Sequence, residues 1–490
     1  MKGYYIAIMF LIFSVSISAQ NQVQALRFSQ VYPVGTARYA AMGGALGAVG
    51  GDFSSASVNP AGLGLYRSSE LSITPSFYIN NSSANYLGET TKDSDNNFNI
   101  GSIGIVTAFN RNKEEGLVTS VFSFGYNALN NYHSTTMMKA VNTTSSLLDD
   151  FTYFANNNNE LDPFYEELAN NTGLMPYDTV NNNYWHFLEP YEAIDYDGYG
   201  EEQVRIVEKR GYLGEYAFSY AANISNKIYL GATFGIHSVR YYEDIYHTES
   251  DFNDLEPDFE SFRFGENNTT RGTGYTFKIG VIVKPIHILR IGASFHAPTT
   301  YYLTDEKFTD LNAYWSTNSG YEDGYESSGM YAKEYTLKTP YRASASVALL
   351  LGKLGILSAE YEYVDYSSSD LDSPGYKFVE ENMAISQDFK DAHNLKAGAE
   401  IRLNPIYLRA GAQYYMNPYV ISDNASDIWV YSAGLGFRTS QTYVDISYSL
   451  RTYSETYGLY QRFPEQVDGF VISRNDYSAV NLMVTLGYKF

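Results

Sequence analysis

The C-terminal residues 479–490 alternate strictly between two kinds of side chain. The large apolar residues fall on one face, and the small or polar residues fall on the other. The first set is Val480, Leu482, Val484, Leu486, Tyr488 and Phe490, and the second is Ala479, Asn481, Met483, Thr485, Gly487 and Lys489. Successive side chains of a β-strand point to opposite faces, so this pattern predicts a strand between an apolar phase and a polar interior. Such a strand is typical of a β-barrel that crosses a membrane.

The same alternation recurs upstream, with charged residues on the polar face. Leu395, Ala397, Ala399 and Ile401 oppose Lys396, Gly398, Glu400 and Arg402; Leu408, Ala410, Ala412 and Tyr414 oppose Arg409, Gly411 and Gln413; Val444, Ile446, Tyr448 and Leu450 oppose Asp445, Ser447, Ser449 and Arg451. Charged side chains cannot face hydrocarbon, so this second face must line a polar or plugged interior.

The pattern predicts about fourteen strands and an all-β fold, a transmembrane antiparallel barrel over residues 71–490. We place the strands near 71–80, 97–109, 117–129, 211–224, 228–250, 270–284, 288–303, 331–351, 355–366, 392–403, 406–415, 428–438, 442–453 and 476–490. The even number agrees with the rule for single-chain bacterial barrels.

The connections between these strands alternate in length. Short ones (110–116, 225–227, 285–287, 352–354, 404–405, 439–441) follow long ones (81–96, 130–210, 251–269, 304–330, 367–391, 416–427, 454–475). Outer-membrane barrels have short periplasmic turns and long external loops, and a soluble β-sandwich gives no reason for the alternation. With short turns in the periplasm and long loops outside, the alternation also places residues 20–70 and Phe490 on the periplasmic side.

The first residues predict export. Lys2, an apolar run from Tyr4 to Val15 and a small-residue site ending at Ala19 form a secretory signal peptide over residues 1–19. No later stretch has the roughly 18 consecutive apolar residues of a membrane-spanning helix. The terminal Phe490, with Tyr488 two residues before it, resembles the C-terminal signal that the outer-membrane barrel assembly machinery reads.

Composition narrows the alternatives. The chain has no cysteine, which excludes a disulfide framework. Its net charge of −22 argues against nucleic acid as a partner. The 48 tyrosines combine an apolar ring with a polar tip, which suits the two rims of a bilayer.

The longest loop, 130–210, contains apolar residues at spacings of three and four, which predicts short helices. We expect these helices to lay an apolar patch over the barrel mouth, where they either pack onto the rim or form a ligand-collecting groove. The patch comprises Met137, Met138, Leu147, Leu148, Phe151 and Phe154, followed by Leu161, Phe164, Tyr165 and Leu168.

Residues 37–63 read ARYAAMGGALGAVGGDFSSASVNPAGL and precede the first predicted strand. This stretch resembles the start of the FadL-type family of outer-membrane transporters for hydrophobic compounds such as long-chain fatty acids. The positions that carry the resemblance are Ala37, Arg38, Met42, Gly43, Gly44, Ala45, Asp52, Asn59, Pro60, Ala61 and Gly62. Pro60 fixes its own φ angle, and the Asn59 side chain can cap nearby backbone amides.

The resemblance implies a fourteen-stranded barrel, a hatch of short helices over residues 20–70, and an inward kink in strand three that opens a lateral path to lipid. Gly125, between Phe124 and Tyr126, is the kink candidate, although a lone strand glycine also serves simple packing. The cargo would be a small hydrophobic molecule, and no cofactor is implied.

The external loops depart from what a fatty-acid transporter needs. Glu243, Asp244, Glu249, Asp251, Asp254, Glu256, Asp258 and Glu260 lie close together and would repel an anionic cargo at long range. We expect this acidic loop to face outside and to bridge to lipopolysaccharide through divalent cations.

Other chemistry has little support in the sequence. The glycine-rich run 43–51 lacks the preceding strand and the following Lys-Ser/Thr of a phosphate loop. Asp195, Asp197, Glu201 and Glu202 lack the spacing of a calcium loop, and a solvated acidic loop explains them better. The seven histidines show no HExxH motif, and no GxSxG elbow is present. We therefore expect neither an enzyme nor a metal site.

Three functions remain open besides transport of hydrophobic molecules. Some relatives of this family resemble shuttle or anchor components of the type IX secretion system. A histidine that binds haem iron would make the chain a haem uptake receptor. A general porin is disfavoured, because a plug-like N-terminus blocks a continuous aqueous channel.

Overall fold

The computed structural model describes residues 19–188, 199–251, 258–316, 320–461 and 470–490 of the 490-residue chain. Apart from Ala19, the predicted signal peptide lies outside these ranges. Within them, no helix has the length and the hydrophobicity needed to cross a membrane.

Long antiparallel strands dominate the described residues. They are β1 (Glu70–Tyr86), β2 (Glu89–Asn110), β3 (Leu117–Asn131), β4 (Ser134–Asn142), β5 (Tyr177–Asp178), β6 (Asn183–Tyr184), β7 (Glu201–Ile224), β8 (Ile228–Ser250), β9 (Phe259–Ile286), β10 (Leu289–His296), β11 (Thr300–Trp315), β12 (Gly324–Ser327), β13 (Tyr331–Lys338), β14 (Arg342–Leu350), β15 (Gly355–Asp365), β16 (Asp370–Asp372), β17 (Asp391–Leu403), β18 (Ile406–Tyr415), β19 (Ile428–Arg438), β20 (Thr442–Gln461) and β21 (Phe470–Lys489).

Apart from β5 and β6, which form a separate two-stranded sheet, these strands form a closed barrel of fourteen staves, which confirms the predicted count and the antiparallel order. Three staves consist of two strands each, namely β3 with β4, β10 with β11, and β13 with β14, because both members pair with the same neighbouring stave. The last strand, β21, pairs with β1 from Glu70↔Lys489 to Tyr86↔Ser473 and closes the ring. Closure removes the free sheet edges that a membrane does not tolerate.

The two faces of the wall differ as the alternation predicts. Large apolar side chains are exposed on the outside, among them Leu71, Phe77, Ile105, Phe124, Phe218, Phe234, Phe277, Leu357, Leu435 and Leu486. Their neighbours in sequence are buried inside and are small or polar, among them Ser72, Ser76, Ser219, Thr276, Ser358, Glu360, Asp445 and Thr485. The outer belt therefore suits hydrocarbon, and the lumen is polar.

The wall is much taller on one side than on the other. Strands β7, β8 and β9 have 24, 23 and 28 residues, whereas β18 and β19 have 10 and 11. A barrel strand needs about 9–11 residues to cross a bilayer, so the long strands project well beyond the membrane. All six predicted short turns lie at the opposite end of the barrel, which the sequence analysis assigns to the periplasmic side.

The extra strand length corrects several predicted loops. The predicted external loop 81–96 is a hairpin, because β1 and β2 continue to the pair Tyr86↔Glu89 and turn at Leu87–Gly88. Strand β8 spans Ile228–Ser250 as predicted, so the residues 243–250 that were also assigned to the acidic loop lie in a strand, and β9 takes in residues 259–269 of the predicted loop 251–269. These segments carry polar residues on both faces, and hydropathy alternation cannot reveal such strands.

Helices are short and lie at the two ends of the lumen. They are α1 (Ala19–Ser29), α2 (Ala37–Ala41), α3 (Ser55–Val58), α4 (Leu147–Asn157), α5 (Glu166–Asn171) and α6 (Val379–Asp388), with 3-10 turns at Pro60–Leu65, Tyr366–Ser368 and Ser422–Asn424. The first three, with the turn at Pro60–Leu65, belong to the segment before β1. Helices α4 and α5 confirm that the long external loop is partly helical.

Candidate functional site

The segment that precedes β1, residues 19–69, lies inside the barrel. Nearly all its side chains from Gly35 to Gly64 are buried. The guanidinium of Arg38 lies 3.1 Å from the Glu400 carboxylate, and the Ala37 amide donates to Thr485 Oγ1 at 2.7 Å. Arg290 donates to the Val49 carbonyl at 2.6 Å. We call residues 19–69 the N-terminal segment.

The residues that carry the family resemblance form the turns of this segment. Met42 is fully buried, and the turn at Gly43 and Gly44 faces strands β17 and β18. The Asp52 carboxylate accepts hydrogen bonds from Thr36 Oγ1 and from the Ser54 amide, each at 2.9 Å. The Gly62 carbonyl accepts from the Gly51 amide, and Ala61 is fully buried.

Asn59 and Pro60 hold the next turn against the wall. The Asn59 side chain accepts from the Ala61 amide at 3.1 Å and donates to the Gly47 carbonyl at 2.7 Å. Pro60 begins the 3-10 turn Pro60–Leu65. A Cβ atom at Gly280 of β9 would overlap Asn59 Oδ1, so only glycine allows this close approach.

Strand β3 separates from β2 part-way up the wall. The two strands pair from Asn110↔Thr119 to Ser102↔Asn127, and β2 continues without β3 along residues 89–101. Strand β4 lies on the inner side of β2. The Asn80 and Ser82 side chains of β1 reach it, because they donate hydrogen bonds to the backbone carbonyls of His133 and Thr135. The result is an opening in the side of the barrel between β2 and the β3–β7 pair.

Gly125 lies two residues before this separation. It remains paired with Gly104 of β2 and Ala217 of β7. A Cβ atom at Gly125 would overlap the Ile103 carbonyl and the ring of Phe53, which packs over it from the N-terminal segment. The glycine therefore makes room for Phe53, while the strands part beyond Asn127.

A cavity of about 620 Å³ lies behind the opening. Its inner lining includes Tyr32, Tyr78 and Arg451, and its outer lining includes Phe98 of β2 and Tyr212 and Tyr216 of β7. These last three side chains are exposed on the outside of the barrel. We call this space the lateral cavity, and it joins the lumen to the lipid-facing surface.

A smaller cavity of about 190 Å³ lies above the lateral cavity, towards the external end. The two share Tyr32, Tyr78 and Arg451 in their linings, and Leu26 and Arg27 of α1 line the smaller one. We call it the upper cavity. The shared lining indicates that the two are contiguous.

Sequence analysis missed the polar rim of the opening. His133 Nδ1 and Nε2 lie 2.8 Å from Asn131 Oδ1 and 3.1 Å from Asn97 Nδ2, and Asn99 donates to Asn97. These residues come from a polar hairpin and from the end of β3, which share no sequence motif. For Arg451 the signal was present, because the alternation placed it on the inner face.

The apolar patch of the long loop packs onto the rim. Met138, Leu147, Leu148 and Phe151 are buried in one cluster with side chains from the strand ends, such as Phe262. This arrangement corresponds to the packing alternative rather than to an open groove. Phe154 is partly buried at the edge of α4.

Two residues of the patch were predicted to be helical but lie in a strand. Met137 and Met138 lie in β4, where burial alternates along the strand and only Met138 is fully buried. The helical spacing of the apolar residues therefore does not extend back to these two methionines, because the backbone of β4 is hydrogen-bonded to β7.

Most of the acidic residues flagged in the sequence are paired. Glu243 approaches Arg27 and Lys209, Asp244 is ion-paired with Arg210, and Glu249 accepts from Ser146 and Leu147. Asp195, Asp197, Asp254 and Glu256 lie outside the described residues. The described residues hold no group of three or more His, Asp or Glu side chains arranged for a metal ion.

Three histidines also pair with carboxylates. His186 lies 2.9 Å from Asp149 and His247 lies 2.8 Å from Glu249, while His237 lies 3.5 Å from Glu215. Each ring is buried in these polar contacts. These carboxylate neighbours account for the burial of the three histidines, which therefore have structural partners other than haem iron.

Comparison with known families shows which proteins this barrel is similar to. Residues 265–461 match the model of the outer membrane protein transport protein family (OMPP1/FadL/TodX). Over less than half of its length, the chain is similar to this FadL-type family. The family model covers the second half of the barrel, whereas the N-terminal motif that carried the resemblance lies outside the match. No curated protein matches the chain.

Solved structures of FadL-type proteins share the fold. A FadL homologue from Pseudomonas aeruginosa is 14% identical, with a TM-score of 0.53 over 94% of this chain and 99% of the other. The toluene transporter TodX from P. putida is 11% identical, with a TM-score of 0.54 and the same coverage. The chain therefore has the fold of FadL-type outer-membrane proteins, and neither the family match nor these structures favour the secretion or the haem alternative.

Proposed function

We propose that this FadL-type barrel receives a small hydrophobic molecule at its external end and releases it sideways into the outer membrane through the opening between β2 and β3. The lateral cavity carries the proposal, because its lining runs from Arg451 in the lumen to Phe98 on the lipid-facing surface. An apolar molecule that leaves sideways avoids the aqueous periplasm.

The proposed path begins in the upper cavity. Helix α1 forms part of its lining, and the apolar cluster of α4 and α5 covers the external end above it. Entry then requires a movement of this external cover. TodX is by its name a toluene transporter, which sets the size of cargo that we propose for this chain.

We propose that the N-terminal segment is a hatch that gates this path. Polar contacts hold it to the wall, because Arg38, Gly47 and Ser57 bind charged groups there. Small apolar contacts add to them: Phe53 packs on the first strands, and Leu46 and Val49 pack on Ala348 and Ile356. A segment held by a few ion pairs and hydrogen bonds can shift without breaking the barrel, whose strands pair independently of it.

The test compares the wild-type protein with Asn59→Ala and with a chain that lacks residues 20–60. We expect both variants to assemble, to leak small ions in planar bilayers and to take up toluene more slowly into liposomes. Gel migration before and after boiling confirms that each barrel is folded. A truncated barrel with wild-type leakage and wild-type uptake would exclude gating.

The location in the outer membrane leads to two further proposals about partners. We propose that Phe490 is read by the barrel assembly machinery. Its backbone amide pairs with Ser69, and its side chain is exposed at the periplasmic end, where a partner can reach it. Phe490→Ala should slow assembly in cells, and equal rates would refute the role.

We also propose that the remaining acidic groups of 243–260 bridge to lipopolysaccharide through divalent cations. Asp258 and Glu260 stand at the external start of β9 and are partly or fully exposed. Antibody access to this segment on intact cells tests the orientation. Labelling only after permeabilisation would reverse the topology, and binding of lipopolysaccharide that resists EDTA would refute the bridging.

A further inference from the structure

Three polar side chains cross the gap between β2 and the stave of β3 and β4. Asn97 lies on β2, Asn131 ends β3, and His133 lies between β3 and β4, beyond the predicted membrane-crossing residues 117–129. His133 Nε2 lies 3.1 Å from Asn97 Nδ2, and Asn131 Nδ2 donates to Asn97 Oδ1 at 3.4 Å. All three line the lateral cavity, and His133 and Asn131 also line the upper cavity. We call these three side chains the polar bridge.

The polar bridge ties an otherwise free strand edge to the stave. Residues 89–100 of β2 pair with β1, and their other edge has no backbone partner among the described strands. In the described part of the chain, the side-chain hydrogen bonds from residues 89–101 to the stave all use Asn97. A segment held by so few bonds opens locally at a low free-energy cost once they are lost.

Only a neutral imidazole fits the polar bridge. Asn131 Oδ1 can only accept, so His133 Nδ1, 2.8 Å away, carries the proton that it donates. His133 Nε2 then has no proton and accepts from Asn97 Nδ2. Asn99 and Asn131 both donate to Asn97 Oδ1. The Asn97 amide therefore cannot turn its oxygen towards His133 without losing these two bonds.

Protonation of His133 would break the polar bridge, because a proton on Nε2 would face the amino group of Asn97 and leave two donors in contact. The charged groups that face His133 are Asp95 of β2 and Arg210 of β7, and Arg451 of β20 lines the same two cavities. Burial lowers the pKa of His133, and Asp95 offsets this effect only in part. The closed bridge therefore holds His133 neutral.

From this geometry we infer that His133 is a positioning residue for the lateral route: its neutral ring holds the free edge of β2 against the stave and keeps the lateral opening narrow, whereas a protonated ring releases that edge. The inference rests on the proposed lateral release and names the residue that sets the width of its exit. The polar bridge lies where the upper cavity meets the lateral cavity, so cargo passes it on the proposed path.

The test measures toluene uptake into liposomes from about pH 8 down to about pH 5, because toluene does not titrate and histidine does. The ordinary pKa of histidine is 6.5, so acid favours the released edge by up to about 30-fold at pH 5. We expect wild-type uptake to rise severalfold as the pH falls. His133→Gln should lose this rise, because its amide donates and accepts hydrogen bonds but does not titrate.

Asn97→Asp should reverse the pH profile. A carboxylate accepts from Nε2–H and favours the charged ring, so the polar bridge then fits protonated His133 and uptake should fall as the pH falls. A residue that only supported the fold would change uptake equally at every pH. His287→Gln, on an exposed short turn at the other end of the barrel, is the matched control and should keep the wild-type profile.

A direct readout uses thiols, since the chain has no cysteine. Asn97→Cys combined with His133→Cys places the only two thiols on the two sides of the gap. A short bifunctional methanethiosulfonate should join them and slow toluene uptake, and a reductant should restore it. Boiling-dependent gel migration shows that each variant is folded.

Two results would overturn the role of His133. One is wild-type uptake that stays flat or falls as the pH falls, and the other is undiminished uptake by the cross-linked variant. A wild-type protein that moves no toluene into liposomes at any pH would instead overturn the proposed function.

Discussion

Arg38 Nε in the N-terminal segment lies 3.1 Å from Glu400 Oε2 on β17, although 362 positions separate the two residues in sequence. Both side chains are almost fully buried. Arg402 and Arg409 also contact Glu400, at 2.9 and 2.8 Å, and Arg409 is paired with Asp445 at 2.7 Å as well. This cluster ties the N-terminal segment to the wall.

Glu400→Gln should release the N-terminal segment. The substitution removes the carboxylate partner of the buried Arg38, and the loss of one partner from a buried ion pair typically costs about 3–5 kcal/mol. We expect a higher conductance in planar bilayers from a barrel that still assembles, as boiling-dependent gel migration will show. Glu380→Gln, an exposed change on α6, is the control, and a conductance equal to wild type would contradict the role of the cluster.

Gly280→Ala should displace Asn59. The added Cβ atom would overlap Asn59 Oδ1, and β9 cannot move because it is paired on both sides. We expect leakage of small ions similar to that of Asn59→Ala. Gly329→Ala serves as the control, since its Cβ meets no other atom. Leakage in both variants, or in neither, would show that the Gly280 contact does not hold the segment.

Ala128→Trp should obstruct the lateral cavity. Ala128 is buried and lines the cavity near the separation of β3 from β2. Overpacking costs roughly 1–3 kcal/mol, which a fourteen-stranded barrel tolerates. We expect uptake of toluene into liposomes to fall severalfold. Ala397→Trp places the same side chain on the lipid-facing side of β17, and equal uptake by the two variants would argue against the lateral route.

Asp150 should make the external cover sensitive to pH. Burial raises the pKa of Asp150 from 3.8 to about 8, and its Oδ1 is shielded without a partner in the described part of the chain. In the unfolded cover the Asp150 carboxyl group loses its proton near pH 4, whereas in the folded cover it keeps the proton up to about pH 8. The folded state therefore binds more protons, and its stability falls as the pH rises from about 4 to about 8, by up to about 1.4 kcal/mol per pH unit.

Asp150→Asn should weaken this dependence, because an amide does not titrate, whereas burial also raises the pKa of Glu249 and of Glu166 to about 7 and leaves part of the dependence. Protease protection of α4, measured from pH 4 to pH 8, reports the stability of the cover. The exposed Asp372→Asn should retain the wild-type profile. A wild-type cover that becomes more protected as the pH rises would show that Asp150 does not control it.

The strand count and the sides of the barrel could be predicted from the sequence. A bilayer imposes apolar residues on one face of every strand, so the alternation in segments such as 479–490 and 442–453 is a local signal. The hairpin over residues 81–96 could not be found in this way. Outside the bilayer both faces of a strand meet water or protein, and the alternation disappears.

The tertiary structure alone decided where the barrel opens and what lines the opening. The sequence pointed to Gly125, but the strands part beyond Asn127, where β4 finds partners on the inner side of β1. The alternation placed Arg451 in the lumen without naming its neighbours. Tyr32 and Tyr78 reach it from positions 419 and 373 residues earlier in the chain, because closure of the barrel brings distant strands and the N-terminal segment together, and no local pattern encodes such contacts.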